Sequence, residues 1–193
     1  MAYRRYRGFN LTPLEFLIVA NLILFIATAI NPALISLLGL HPASFWGKPW
    51  TIVTNLFIHS GIGHILVNML ALYFFGGYLI RLIGERNFFI VYFLGGIVGN
   101  IFYMLLGSPF SVVVGASGAI FAVGGALTAM RPQLRVFVFP IPVPLPLWVA
   151  VIGDFLVLSF FPYVAWQAHL GGLVFGLIMG YFFVRKHRFF SLL

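Results

Sequence analysis

The 193 residues contain no cysteine. That excludes disulfides, thiol nucleophiles and cysteine-ligated metals, and leaves the compartment open. Acids are almost missing as well. Asp and Glu number 3 against 11 Lys and Arg, and charged residues make up only 7% of the chain. Soluble domains carry roughly 25% charged residues, so a soluble globular protein is excluded. No convincing strand pattern is present, so no nucleotide-binding glycine loop follows a strand. What the chain has in abundance is apolar: 62% of residues are hydrophobic and the mean hydropathy is +1.10. The apolar runs are continuous, whereas a membrane β-barrel alternates apolar and polar residues. The fold class is therefore an all-α integral membrane protein. At about 20 residues per helical span, the chain 1–193 forms a single membrane domain of six spans, with nothing over for a soluble domain.

The spans fall at about 13–30, 62–80, 88–106, 117–130, 145–161 and 166–184. Thr12-Pro13-Leu14-Glu15 opens the first with a capping-box pattern and proline at the first helical position. Asn31-Pro32 ends it. Pro140, Pro142, Pro144 and Pro146 force an extended lead-in to the fifth, which is short. No internal repeat is evident.

The net charge of +8 invites a nucleic-acid reading, but the positions of the cations argue against it. Arg4, Arg5 and Arg7 precede the first span, Arg81 and Arg86 separate the second and third, Arg131 and Arg135 the fourth and fifth, and Arg185, Lys186 and Arg188 follow the sixth. Only Lys48 falls on the other side. The positive-inside rule makes the crowded side cytoplasmic, with both termini inside a cell membrane. A basic start and Ala27-Thr28-Ala29 also resemble a cleavable signal peptide, but the apolar stretch is long for one. Segment 32–58 is the longest outer connection, and its Phe45, Trp46, Lys48 and Trp50 suit the membrane interface.

Polar side chains within spans are costly and point to function. His59, His64, Asn68, Ser117, Asp154 and His169 stand out. Ser117, His64 and His169 lie 14, 17 and 16 positions from Arg131, Arg81 and Arg185, or roughly 21, 26 and 24 Å above the cytoplasmic charges. Three helices thus bring polar groups to one level, below the outer surface of a core about 30 Å thick. Gly172, Gly176 and Gly180 form a smooth stripe beneath His169. Gly118, Ala122, Gly124 and Gly125 lie below Ser117. Small residues let membrane helices approach closely, which puts Ser117 within hydrogen-bond reach of His169. Such stripes also pack helices with no site involved. The matching heights of serine and histidine are what favour a site here.

A serine hydroxyl needs a base to act as nucleophile, and neutral histidine serves. His64 and Asn68, four apart on one helix face, offer donors to an oxyanion. The Ser117 N–H at a helix N-terminus offers a third. Gly115 and Gly118 leave room beside the serine.

These residues resemble the rhomboid family of intramembrane serine proteases in its minimal six-helix form. His59 to Asn68, read as His-Ser-Gly-Ile-Gly-His-Ile-Leu-Val-Asn, is similar to the family's His-x-x-x-Asn element with an upstream histidine. Gly115-Ala116-Ser117-Gly118 is similar to its Gly-x-Ser-Gly, and Ala168-His169 with Gly172 and Gly176 to its Ala-His-x-x-Gly-x-x-x-Gly. The resemblance implies a Ser117–His169 dyad, an oxyanion hole from His64, Asn68 and the Ser117 amide, membrane-spanning protein substrates, and no cofactor or metal. The chain departs from the family in two places. Thr51 follows Trp50 where the family commonly has an arginine that would brace the outer loop, and Tyr78, Leu79, Ile80 and Arg81 follow Gly76-Gly77 where the family often has an acid.

Asp154 has no family role. It could hydrogen-bond a nearby tyrosine or tryptophan, be protonated because burial disfavours the charged form, or stand as a third member behind His169. Other readings are weaker. A catalytically inactive relative that binds membrane clients usually lacks the serine or the histidine. A transporter needs polar groups on both sides of the midplane, and the inner halves are apolar. A zinc site from His59, His64 and His169 lacks the His-Glu-x-x-His pattern.

Overall fold

A computed structural model describes residues 11–138 and 140–190, with backbone alone for 186–190. Arg4, Arg5 and Arg7 lie outside the described residues. Helix α1 (Pro13–Ile30) starts with the reciprocal cap written in its sequence. The Glu15 N–H donates to Thr12 Oγ1 at 3.3 Å, and the Thr12 N–H donates to the Glu15 carboxylate at 2.8 Å. Asn31, with ψ 90°, ends the helix ahead of Pro32.

The outer connection folds into short pieces: α2 (Ala33–Leu38), a 3-10 stretch (Pro42–Gly47) and α3 (Thr51–Thr54). Lys48 Nζ donates to the Ser36 carbonyl at 2.9 Å, Trp50 Nε1 to Leu37 at 3.0 Å, and Thr54 Oγ1 to Leu38 at 2.7 Å. Thr51, standing where an arginine is common, donates to the Lys48 carbonyl at 2.6 Å. The brace expected of one arginine is supplied by four other side chains. Leu40 and Val113 exchange backbone hydrogen bonds at 3.0 and 2.8 Å, tying this connection to the loop ahead of Ser117.

Helix α4 (Ile62–Ala71) runs through a π turn (Leu72–Gly76) into α5 (Gly77–Leu106). Gly84, with φ 78° and ψ 162°, divides α5. That left-handed φ is open to glycine at little cost, and it turns the chain between two apolar runs. Helices α6 (Ser117–Met130), α7 (Leu147–Ser159) and α8 (Trp166–Phe190) follow. The expectation of no strands needs a small correction. β1 (Arg135–Val136) pairs antiparallel with β2 (Leu145–Pro146), because the prolines near β2 hold the chain extended.

Among the described residues, three helical stretches are long and apolar enough to cross a membrane: Pro13–Ile30, Ile62–Leu106 and Trp166–Arg185. α6 and α7 are apolar but shorter. Large apolar side chains cover the outside. Ile30, Leu105 and Phe160 are 80%, 75% and 88% exposed, as suits helices facing lipid rather than water. The centre is α6, buried at every residue from Gly118 to Thr128.

Backbone packs on backbone there. A Cβ at Gly172 would run into the Gly118 carbonyl oxygen, one at Gly176 into that of Ala122, and one at Gly180 into that of Ala126. This register makes α6 and α8 parallel. α5 closes the third side in the opposite direction, with Gly95 against Ala122 and Gly99 against the Ala168 carbonyl. Arg86, Arg131 and Arg185 consequently share one end of the bundle. Ser117 and His169 lie toward the other.

Candidate active site

Ser117 is the first residue of α6, so its N–H has no partner within the helix. The loop delivering it is fixed at Gly115, whose φ is +126° and whose N–H donates to the Asn55 carbonyl at 2.9 Å. A Cβ at Gly115 would stand 2.7 Å from both Cε1 and Nε2 of His64. Only glycine satisfies both the backbone angle and that approach.

The parallel packing of α6 and α8 brings His169 Nε2 to 2.8 Å from Ser117 Oγ. The His169 side chain is buried, its ring 4.6 Å from that of Phe121 and tilted by 30°. If the serine hydroxyl donates, Nε2 accepts and the ring proton lies on Nδ1. Nδ1 has no hydrogen-bond partner among the described residues. The suggestion of Asp154 as a third member therefore fails, because its carboxyl makes no bond to His169. Asp154 instead stands on α7, with its side chain open to the cavity described below. The aromatic partner suggested for it is not found either: among the described residues no tyrosine or tryptophan donates to its carboxyl.

His64 faces Ser117 from α4. Ser60 Oγ lies 3.0 Å from His64 Nδ1, and the Ser60 N–H points at the same nitrogen at 3.5 Å. A backbone N–H can only donate, so Nδ1 accepts and the proton sits on Nε2, beside Gly115. Nε2–H is then a donor aimed toward the serine. Replacing Ser60 with alanine removes one such bond, worth about 1 kcal/mol. If Ser117 is a nucleophile served by His64, turnover by Ser60→Ala should fall about fivefold with KM little changed, and Ser60→Thr should restore it. Initial rates at saturating and limiting substrate read both.

Asn68, one turn below, donates one amide hydrogen to the His64 carbonyl at 2.8 Å. The second remains for a ligand. His59 is buried behind His64, with its ring edge-on at 5.0 Å. Burial, reinforced by the neighbouring imidazole, lowers its pKa to about 4, so it stays neutral and buttresses His64. Among the described residues no three His, Asp or Glu side chains converge as a metal site would require.

Ser117, His169, His64 and Asn68 all line one cavity of about 730 Å³. α4 and α7 form its two flanks and barely touch each other. Gly172 and Gly176 form the close-packed seam beneath the site, and Gly118, packed against the Ala168 carbonyl, also lines the cavity.

Two buried amides carry weight that motif spacing did not reveal. Asn55 and Asn100 exchange hydrogen bonds at 3.0 and 2.8 Å, and Asn100 also donates to the Ile52 carbonyl at 2.7 Å. This pair fixes the backbone on which Gly115 hangs. The readable signal was an amide within the apolar run of the third span. Asn100→Leu strands the Asn55 amide in the core. It should cost about 2–3 kcal/mol, seen as a lower thermal midpoint in detergent, and should lower activity as the Gly115 anchor loosens.

A multi-pass helical membrane protein with a partly buried, hydrogen-bonded serine–histidine pair is the class that this fold and site define. Sequence comparison narrows it. The Rhomboid domain family matches residues 46–186. "Putative rhomboid protease YdcA" of Bacillus subtilis is 32% identical over 143 residues, covering 72% of this chain and 70% of that protein. "RHOMBOID-like protein 9, chloroplastic" of Arabidopsis thaliana is 33% identical over 138 residues, covering 70% of this chain but 31% of that protein. "Inactive RHOMBOID-like protein 8" of the same plant is 28% identical over 127 residues, covering 65% and 35%. The chain belongs to the rhomboid family, and it spans about a third of the length of those plant relatives. The family consists mostly of intramembrane serine proteases and includes inactive members.

Proposed function

We propose that the protein is an intramembrane serine protease that cuts peptide bonds in or near membrane-spanning segments of other proteins. The observation that carries this reading is the 2.8 Å contact between Ser117 Oγ and His169 Nε2 inside a cavity that also holds His64 and Asn68. His169 takes the hydroxyl proton as Oγ attacks the scissile carbonyl carbon. The oxyanion that forms takes hydrogen bonds from His64 Nε2–H, the free Asn68 amide hydrogen and the Ser117 N–H. His169 then gives its proton to the departing amine as the C–N bond breaks. A water molecule, losing a proton to His169, hydrolyses the acyl-enzyme and returns Ser117. Polar lining residues such as Ser111 and Gln167 favour water in the cavity.

In this reading the chain makes six spans in a cell membrane. Both termini and the arginine end are cytoplasmic, and the cavity opens to the other side. No cofactor takes part. The test is a fluorescent fluorophosphonate, which labels activated serines, applied to purified protein in detergent. Labelling that disappears in Ser117→Ala supports the reading. A folded wild type that resists labelling, and that holds membrane segments without cutting them, favours an inactive, client-binding member of the family.

A further inference from the structure

The chain has three acids, and two have plain tasks. Glu15 caps α1. Glu85 adjoins Arg86 at the Gly84 turn, at the arginine end of the bundle. Asp154 has neither excuse. It sits in α7 among Val151, Ile152, Phe155, Leu156 and Val157, and its side chain opens into the cavity that holds Ser117 and His169. A carboxyl inside a membrane segment is expensive and pairs with something. Yet among the described residues no donor or cation lies within hydrogen-bond or ion-pair distance of the Asp154 carboxyl, which is exposed on the cavity side. The nearest cation along the chain, Arg135, is paired in β1 with Pro146 at the foot of α7 and donates to the Pro144 carbonyl. That places it eight α7 residues below Asp154, about 12 Å away along the axis. Lys48 is committed to the outer connection.

The depth of Asp154 follows from two contacts. Val151 packs at Gly124. Phe155 meets Phe121 edge-on at 6.2 Å. α6 and α7 run in opposite directions, so either contact puts Asp154 about 6–8 Å deeper than Ser117. An extended strand rises about 3.3 Å per residue, so the carboxyl lies level with the second residue or so beyond a bond held at Ser117. It faces that residue from the flank opposite α4, where α4 and α7 leave a gap.

We infer that Asp154 recognises a lysine or arginine of the substrate segment, two to four residues from the scissile bond on its deeper side. The inference rests on the protease reading for what it calls a substrate. A basic side chain lays its apolar stem along Val67, Ala71 and Leu158 and brings only its head to the carboxylate. The other polar groups of the cavity carry no fixed charge, so the acid gives the site its sign. That charge discriminates between segments of equal hydropathy.

The test uses the full chain reconstituted in liposomes with a single-span peptide substrate. Each of the second, third and fourth positions on the deep side is set in turn to Leu, Lys, Gln or Glu. Wild type, Asp154→Asn and Asp154→Lys are compared by the ratio of kcat/KM between substrates within each variant, so changes in overall activity cancel. Wild type should favour Lys over Leu at one of these positions by about fivefold or more, mainly through KM. Asp154→Asn should abolish the preference, and Asp154→Lys should turn it toward Glu. An unchanged ranking in the variants, or Gln serving as well as Lys, overturns the inference. If no substrate is cut and Ser117 resists fluorophosphonate, the protease reading has failed separately. Photocrosslinking of the same peptides to Ser117→Ala, with and without Asp154→Asn, then decides recognition alone. A Lys preference lost with the carboxyl upholds it, and equal capture of Lys and Leu peptides ends it.

Discussion

His169→Ala should lower peptide-bond cleavage by about a thousandfold or more and remove fluorophosphonate labelling of Ser117. The hydroxyl would lose the acceptor that stands 2.8 Å away, and no other base in the cavity touches it. His64 is not a substitute. Its Nδ1 accepts from Ser60, so its remaining nitrogen carries a proton and donates. Ser117→Ala should cost as much, and the double variant no more, because serine and histidine act as one unit. His169 also packs on Phe121, so alanine could act through packing alone. His169→Phe controls for this. It keeps a ring against Phe121, and its thermal unfolding should stay near wild type while activity is lost. Cleavage within tenfold of wild type in His169→Phe would remove the histidine from the chemistry.

The sequence made this pair visible because both constraints on it are one-dimensional. Helical rise converts distance from Arg131 and Arg185 into depth, and glycine spacing on α8 names the face that meets α6. The starts of α1, α4, α6 and α8 were legible for similar reasons. Thr12 and Pro13 mark the first, and Ser117 begins the fourth span at the residue where α6 begins. What stayed hidden was contact across the chain. The Asn55–Asn100 pair joins residues 45 apart. Nothing local to Asn55, set between Ile52-Val53-Thr54 and Leu56-Phe57-Ile58, foretells its partner on α5. Ser60 was overlooked because serine next to histidine is unremarkable until the rotamer aims Oγ at Nδ1. The outer connection was misjudged in a similar way, since bracing was sought at one arginine and is spread over Lys48, Trp50, Thr51 and Thr54.

The length of α6 joins fold to function. It has 14 residues and spans about 21 Å, some 9 Å less than the hydrocarbon core. A helix that began at the outer surface would present its first serine to bulk water. This one begins below it, under the Val113–Ala116 loop that Leu40 and Asn55 hold in place. In the orientation proposed above, with the arginine end at the cytoplasmic surface, the shortfall sets Ser117 inside the membrane with a cavity beside it. A central helix that falls short of a full span is thus a signature of the site rather than a weak span.

Gly176→Leu should have the second large effect, on stability and activity together. A Cβ at Gly176 would meet the carbonyl oxygen, the carbonyl carbon and Cα of Ala122, all backbone atoms of the central helix. Backbone there has nowhere to retreat, because α5 presses on the other side of Ala122 through Gly95. The helices must therefore separate. Even a methyl group should cost about 1–3 kcal/mol through overpacking, and leucine more. The seam from Gly176 through Gly172 leads up to His169 within two turns, so a separation at its middle opens the 2.8 Å bond at its head. Gly176→Ala should retain its fold with a lower thermal midpoint and lose roughly tenfold or more in cleavage, since a shift of 1 Å in a catalytic pair is costly. Gly176→Leu should fail to accumulate or should unfold on extraction. Gly153→Ala is the matched control, because a Cβ at Gly153 meets nothing within 4 Å and alanine is the better helix former. It should match wild type in both measurements. If Gly176→Leu kept the thermal midpoint and cleavage rate of wild type, close contact between α6 and α8 could not be what holds the serine to its base.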